Sequence, residues 1–528
     1  MPGKFKKHFI FPYNFIRFLN RPISFREAQD AIRGRLEQRE KNFLRFVKQC
    51  IYDTRSSPYL PLLRRARWDY DDIVSETRSC GIEGVLKRLK DSGVWVSFEE
   101  FKGRKAICRG GERYQARDSD FDNPLISSGV RVSTGGTSGR PVKSNIYLDF
   151  LAARANYDRL MFEMLHIYDV PLILWYPGLP AVTGISNSLR YAKIGRPPER
   201  WFNLASSAKR MDSGWKNRLG TSAVVWLSRL SKAPLAVPEP LSLNDVNVVL
   251  EWIDRRKKRH GRCVVQCYVS QAVRICRGAS ARGMDLRGTL FIVGSEPLTR
   301  AKYQEIVGTN AEVFPRYHAT EIGSIATGCG RPSEVGDLHL HVDTVAVLQG
   351  EDPTDGVGSF FFTSFINAAP KVMLNVEMGD SGVIRRMRCG CLFDQMGLHT
   401  HLLGVRSYSR TSSEGMSVCH SELSRLLEEE LPSKYGGSLL DYQLVEVEDG
   451  NSMTRLLLRI DPGLGPVDEH SVVKDILTGL RRIDAIHRVH AEVWEQAGAI
   501  KVIRQRPEST VSGKSASIIG KDGVPFGR

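Results

Sequence analysis

Apolar and polar positions alternate at helical spacing over residues 25–59, and the run stops at Ser57-Pro58. A turn-rich, basic stretch follows to about residue 131, and residues 148–165 return to a helical pattern. Pro171-Leu-Ile-Leu-Trp175 is short, apolar and closed by Pro177-Gly178, the signature of a buried strand. Helical periods at 245–257 and 270–277 then precede the apolar runs 263–266 and 290–293. Such alternation predicts α/β layers with buried strands. Around 359–363 and 381–384 the strands become dense and hairpin-like.

Past Arg406 the pattern changes. Helices are predicted at 421–431 and 470–483, and strands at 442–448, 454–460 and 488–494. These form a compact α+β unit. The expected organisation is a large α/β domain over 1–405 and a small α+β domain over 406–528. The end of the chain is small, polar and glycine-rich.

Length and composition agree with this division. A chain of 528 residues exceeds what one core serves, and 25% charged with 41% hydrophobic residues is ordinary for a globular protein. The net charge of +16 favours polyanionic partners such as nucleotides or coenzyme A. Nucleic acid is not expected, because Arg255-Arg-Lys-Lys-Arg259 is the only basic run and reads as the solvated end of a helix. Residues 1–21 are basic and aromatic but interrupted by Pro12. They read as a lead-in segment packed on the first domain, a membrane-surface role being the weaker alternative. No run approaches the length of a membrane span. The ten cysteines are scattered and do not form a disulfide framework, so a cytoplasmic location is expected.

The densest chemistry is in Val132-Ser-Thr-Gly-Gly-Thr-Ser-Gly-Arg-Pro141. Ser133, Thr134, Thr137 and Ser138 interleave with Gly135, Gly136 and Gly139, and Arg140 adds a fixed positive charge. Glycines let the backbone approach a ligand, and hydroxyls with successive N–H groups make a nest for phosphate oxygens. No Gly-Lys-Ser/Thr closes the segment, so it is not the Walker loop.

This segment resembles the phosphate loop of the adenylate-forming superfamily of acyl-CoA synthetases, adenylation domains and luciferases. Lacking a lysine after the proline, it is most similar to the phenylacetate-CoA ligase branch. Further matches follow in the family's order. Gly294-Ser295-Glu296-Pro297 resembles the segment lining the adenine, and Tyr317-His-Ala-Thr320-Glu321 the segment whose glutamate holds Mg²⁺. Gly379-Asp380 resembles the pair whose carboxylate takes the ribose hydroxyls. Gly404-Val-Arg406 resembles the hinge, and Gly513-Lys514 the late pair that carries the catalytic lysine. The helix ending in Ser56-Ser57-Pro58-Tyr59 also fits that branch.

The resemblance implies ATP-dependent activation of a carboxylic acid as acyl-AMP. The acyl group would then pass to coenzyme A or, alternatively, to an amine. Thr134, Thr137 and Ser138 would hold β- and γ-oxygens, Glu321 would bind Mg²⁺, and Lys514 would stabilise charge at the α-phosphate. The substrate supplies its own nucleophile. The acyl pocket would involve Trp175, Tyr176, Gly184, His318 and Ala319, whose aromatic lining suits an aryl or arylacetic acid; an ordinary core role for Trp175 and Tyr176 is the alternative. Some members of that branch also place a cysteine and a histidine before a later Cys-x-Cys, and Cys329, His339, Cys389 and Cys391 match, implying a closed structural Zn²⁺ site. One departure concerns the second half-reaction: Tyr408 stands where the hinge usually carries an acidic residue. A non-catalytic nucleotide-binding relative is the remaining alternative. Oligomeric state is not legible.

Overall fold

One strand, Glu312–Ala319, joins the two halves of the main sheet. Its first half pairs in parallel with Thr289–Gly294, and its second half pairs antiparallel with Gly323–Gly328. The computed structural model describes residues 3–126, 130–133, 143–179, 181–204, 215–350, 358–407, 410–508 and 517–519, with side chains except at 3–11, 130–133, 143–145, 215–219, 410 and 421. On one side of the pivot run five parallel strands, Thr289–Gly294, Cys263–Tyr268, Leu172–Trp175, Arg200–Asn203 and Pro238–Pro240. On the other side lie Gly323–Gly328, Leu338–Leu340, Thr400–Ser407, Val376–Arg386, Ser359–Ser364 and Val345–Gln349, all antiparallel. The parallel strands Leu172–Trp175, Cys263–Tyr268 and Thr289–Gly294 are buried throughout, which explains their unbroken apolar reading. The α/β expectation holds, and the parallel and antiparallel halves form one continuous twelve-stranded sheet.

The N-terminal helix Gly3–Asn20 buries Phe15, Phe18 and Leu19 in the same core as these strands, in line with a packed lead-in segment. No helix among the described residues is long and apolar enough to cross a membrane. Arg255 to Arg259 do lie at the end of a helix, Val246–His260, closed by Gly261 at φ 73°.

Two local readings need correction. The stretch after residue 59 is not turn-rich throughout: it contains Leu60–Arg65 and the 22-residue helix Tyr70–Asp91. Asp69 and Asp72 cap each other's backbone N–H at 2.9 Å, which starts the long helix. Gly81, at φ 73°, interrupts its helical dihedrals and blurs the periodicity. Residues 488–494 are helical rather than a strand, within Ala485–Ala497. Val489, Ala491 and Val493 alternate with polar residues and mimic a strand. Asp484 nevertheless caps Ile486 and His487 N–H at 2.8 Å, and Trp494 Nε1 donates to the Ser413 carbonyl at 3.0 Å. The strand expected there is Ile500–Arg504, parallel to Thr454–Ile460.

Beyond residue 410 a hairpin, Arg410–Ser413 with Met416–Cys419, leads into a four-stranded sheet containing Tyr442–Glu448, Thr454–Ile460, Ile500–Arg504 and Ile518–Ile519. Charged contacts tie this region to the preceding chain: Arg104 to Glu422 at 2.6 Å and Arg274 to Glu414 at 2.5 Å. Glu422 also accepts from His487, which in turn meets Asp484, both at 2.9 Å. Burial alone would lower the His487 pKa, but hydrogen bonds to Asp484 and Glu422 outweigh it and raise it to about 9. Because the folded value lies above the unfolded one of about 6.5, this cluster's stabilisation is complete below pH 6.5 and lost as pH rises through about 9. Thermal melts from pH 7 to 9.5 are therefore expected to fall more steeply for the native protein than for His487→Gln. Parallel curves would refute the assignment.

Candidate active site

The parallel strands all point one way, so their carboxyl ends form one edge. Along it stand Asn203, Trp175, Tyr268, Gly294 and Ala319, in the order of the sheet. Open α/β sheets bind ligands in the crevice outside this edge. Three segments singled out in the sequence begin here: Trp175 to Gly178, Gly294 to Pro297, and Tyr317 to Glu321.

The sheet brings distant motifs together. The Tyr317 hydroxyl donates to Asp380 Oδ2 at 2.5 Å across 63 residues. Asp380 lies opposite Ser407, and Arg406 opposite Ser381, because Val376–Arg386 pairs with Thr400–Ser407. Gly379 bends the backbone at φ 76°, and its carbonyl accepts from Ser407 Oγ at 3.1 Å. Arg406 is largely exposed, as is Thr320. Glu321 receives Lys102 Nζ at 2.7 Å, its side chain only 11% exposed. Lys102 also reaches Asp118 at 3.4 Å. It has no counterpart among the sequence-derived candidates. It lies 219 residues from Glu321, and no local spacing marks it.

Ser295 and Pro297 are exposed, and Ser295 adopts φ 66°, rare for a residue with a side chain. Such a backbone costs roughly 1–3 kcal/mol and collects at ligand sites. The Glu296 side chain is turned inward. It accepts from Ser270 N at 2.9 Å and from the Gly415 backbone, and Lys302 Nζ stands 3.8 Å away with both side chains 1% exposed. Glu296 thus anchors the hairpin beyond residue 410 to the parallel sheet.

Trp175 and Tyr176 are buried, and the Tyr176 hydroxyl donates to the Cys267 carbonyl at 3.0 Å. A Cβ added at Gly184 would stand 2.4 Å from the Trp201 ring, so the space beside this glycine is filled by an indole. His318 and Ala319 lie half-buried beside the pivot strand's end. Burial, then Arg316, Arg154 and Arg190, hold the His318 imidazole well below its ordinary pKa. Ser133 ends the strand Val130–Ser133, paired with Lys143–Ile146. Thr134, Gly135, Gly136, Thr137, Ser138 and Gly139 lie outside the described residues, as do Tyr408 and Lys514.

A second cluster sits under the antiparallel half. Cys329, His339, Cys389 and Cys391 present ligand atoms within 4.8 Å of one another. His339 Nε2 is 3.4 Å from Cys389 Sγ and 3.1 Å from Cys391 Sγ. Ligands of tetrahedral zinc stand roughly 3.5–3.8 Å apart, given Zn–S near 2.3 Å and Zn–N near 2.0 Å. His339 Nδ1 meets the Leu398 carbonyl at 2.7 Å, which directs Nε2 toward the thiols. Hydrogen bonding with Cys329, then with His339, holds the Cys391 thiol far below its ordinary range, so a thiolate is already favoured. Asp337 and His401 form an overlapping donor group with Cys329, but they engage each other at 2.5 Å, and Asp337 also accepts from Ser333 N.

Fold and site together define an α/β protein with its candidate cleft at the carboxyl ends of the parallel strands. No known family, as described by sequence, matches the chain, and no curated protein does. Solved structures to which it is similar include an AMP-forming acyl-CoA synthetase/AMP-acid ligase II-like protein from Dyadobacter fermentans, 14% identical, over 73% of this chain and 87% of that one, at TM-score 0.28. A Brucella canis acyl-CoA synthetase is 13% identical over 82% and 75%, at TM-score 0.31. An anthranilate CoA ligase in complex with anthranoyl-AMP is 10% identical over 73% and 93%, at TM-score 0.27. Likeness at this level leaves function to be argued from the residues of this chain.

Proposed function

We propose that this protein activates a carboxylic acid with ATP, forming an acyl-adenylate and pyrophosphate. The observation that carries the reading is the contact of Tyr317 with Asp380, from separate motifs, with Glu321 four residues past Tyr317 at the carboxyl edge of the parallel strands. A carboxylate oxygen of the substrate would attack the α-phosphorus, and the bond to the bridging oxygen of pyrophosphate would break. Charge neutralisation, rather than a protein nucleophile, is what such a step requires.

Glu321 fits a cation, since it already holds the Lys102 ammonium. Mg²⁺ would take this carboxylate in place of Lys102 or beside it, and it supplies charge neutralisation at the phosphates. Asp380 would exchange its Tyr317 partner for ribose hydroxyls. The strained Ser295 backbone and exposed Pro297 would face the adenine. The segment from Ser133 to Gly139 would cradle the β- and γ-phosphates, and Lys514 would approach the α-phosphate from a small domain that begins at residue 406.

The acyl group would pass to coenzyme A. Transfer to an amine is the second reading, favoured by Tyr408 at the hinge position. Cys329, His339, Cys389 and Cys391 would hold a structural Zn²⁺ that pins the strand pairing near Asp380. The test is pyrophosphate–ATP exchange across a panel of carboxylic acids, which reports the first step without knowledge of the acceptor. Exchange dependent on one class of acid is expected. Its absence with every acid tested, in folded protein with Mg²⁺, would refute the reading.

A further inference from the structure

Near His318 two guanidinium groups meet one carboxylate, and a third lies close by without one. Asp158, on the helix Leu148–Met164, receives Arg190 Nε at 3.2 Å and Arg316 Nη2 at 2.8 Å. The Asp158 and Arg190 side chains are 0% exposed and that of Arg316 4%. Arg154 lies one turn before Asp158 on the same helix. Its Nε is 3.5 Å from Ser324 Oγ, and its guanidinium lies 5.4 Å from the centroid of the Phe150 ring. Among the described residues no carboxylate lies within ion-pair distance of Arg154. Three positive charges therefore face one negative charge, and His318, held neutral by burial and by these arginines, adds none.

The polar atoms here are also under-satisfied. Arg190 Nη1, His318 Nδ1 and Gln266 Oε1 are buried without a hydrogen-bond partner among the described residues. Gln266 belongs to the same group, because its Nε2 donates to Asn187 Oδ1, which also accepts from Arg190 Nη2. Guanidinium does not deprotonate to relieve such an imbalance, and an unpaired buried charge is costly. A fold that keeps this excess charge beside its candidate cleft is suited to a ligand that carries the missing negative charge. His318 links the cluster to the cleft: it is two residues past Arg316 on the same strand, and a Cβ on Gly294 would stand 3.4 Å from His318 Cε1.

We propose that the acid this protein binds is a dicarboxylate, whose second carboxylate is received by Arg154, Arg190 and Arg316 beneath His318. The inference rests on the adenylation reading for the fate of the first carboxylate. Burial of the second against these groups would form charge-assisted hydrogen bonds, giving Arg154 the carboxylate it lacks and Arg190 Nη1 an acceptor.

The test has a binding arm and a catalytic arm. Native protein is titrated by calorimetry with glutarate, adipate, phthalate and homophthalate, and with butyrate, hexanoate, benzoate and phenylacetate at matched ionic strength. The same acids are then compared in pyrophosphate–ATP exchange. At least one dicarboxylate is expected to bind about tenfold or more tightly than its monoacid counterpart, as one charge-assisted pair provides. Arg154→Met removes the guanidinium that has no carboxylate partner and should erase that preference by raising the Kd and KM for the dicarboxylate. Equal or better binding of the monoacids by the native protein overturns the inference, whatever the variant does, and leaves adenylation standing if they support exchange. Selective dicarboxylate binding without exchange upholds this site and overturns adenylation. An unchanged preference in Arg154→Met removes Arg154 from the site.

Discussion

Replacing Glu321 by glutamine is expected to abolish acid-dependent pyrophosphate–ATP exchange while the protein stays folded. The substitution keeps the size of the side chain and removes its charge. In the proposed reaction that charge holds the divalent cation against the triphosphate. Losing one preorganised electrostatic partner of a phosphoryl or acyl transition state costs at least about 2.7 kcal/mol, roughly a hundredfold in rate. The fold should tolerate the change, because Lys102, the present partner of Glu321, retains Asp118 at 3.4 Å. Circular dichroism and a thermal melt should therefore match the native protein while exchange disappears. Native exchange rates in the variant would remove Glu321 from the cation site. A collapsed melting transition would show instead that the Lys102 pair is structural.

The second large effect concerns the cysteine cluster. Purified, reduced protein is expected to carry about one zinc per chain, since three thiolates and an imidazole complete a closed tetrahedral site. Zinc requires deprotonated thiols, so acid and strong chelators should release it and lower the melting temperature together. Cys391→Ser should lose most of the metal and melt roughly 2 °C lower, as the loss of about 2 kcal/mol would give in a domain of about 400 residues. The reason is topological. Leu338–Leu340, which carries His339, pairs on one side with Gly323–Gly328 and on the other with Thr400–Ser407, and the metal would staple the loops at the ends of these strands. Metal analysis that finds no zinc would end the idea.

Much of this architecture is legible in the chain. The runs at Leu172–Trp175, Cys263–Tyr268 and Thr289–Gly294 read as buried strands because both faces of a parallel sheet are covered and the apolar pattern is unbroken. The helix at Glu469–Ile483 is legible because one face alone is apolar. Where the reading failed, local signals conflicted. Val489, Ala491 and Val493 alternate as in a strand, but the Asp484 cap and the contact of Trp494 with Ser413 favour a helix. Gly81 divides the helix after Tyr70 into two short periods, neither long enough to stand out from the basic surroundings.

What the sequence by itself determined is the inventory of chemistry. It supplied the hydroxyl- and glycine-rich segment at Ser133 to Gly139, the acidic residues Glu321 and Asp380, and the cysteines with His339. These are statements about residue type over short spacings, and short spacings are written in the chain. Only the tertiary structure decided which groups meet. Tyr317 reaches Asp380 and His339 reaches Cys391 because antiparallel strands align in a particular register, fixed by backbone hydrogen bonds between segments far apart in sequence. Lys102 on Glu321, Glu296 turned toward Gly415, and Arg190 and Arg316 on Asp158 follow from the packing of helices and loops on that sheet. No local pattern encodes a contact whose partners are placed by separate helices and strands.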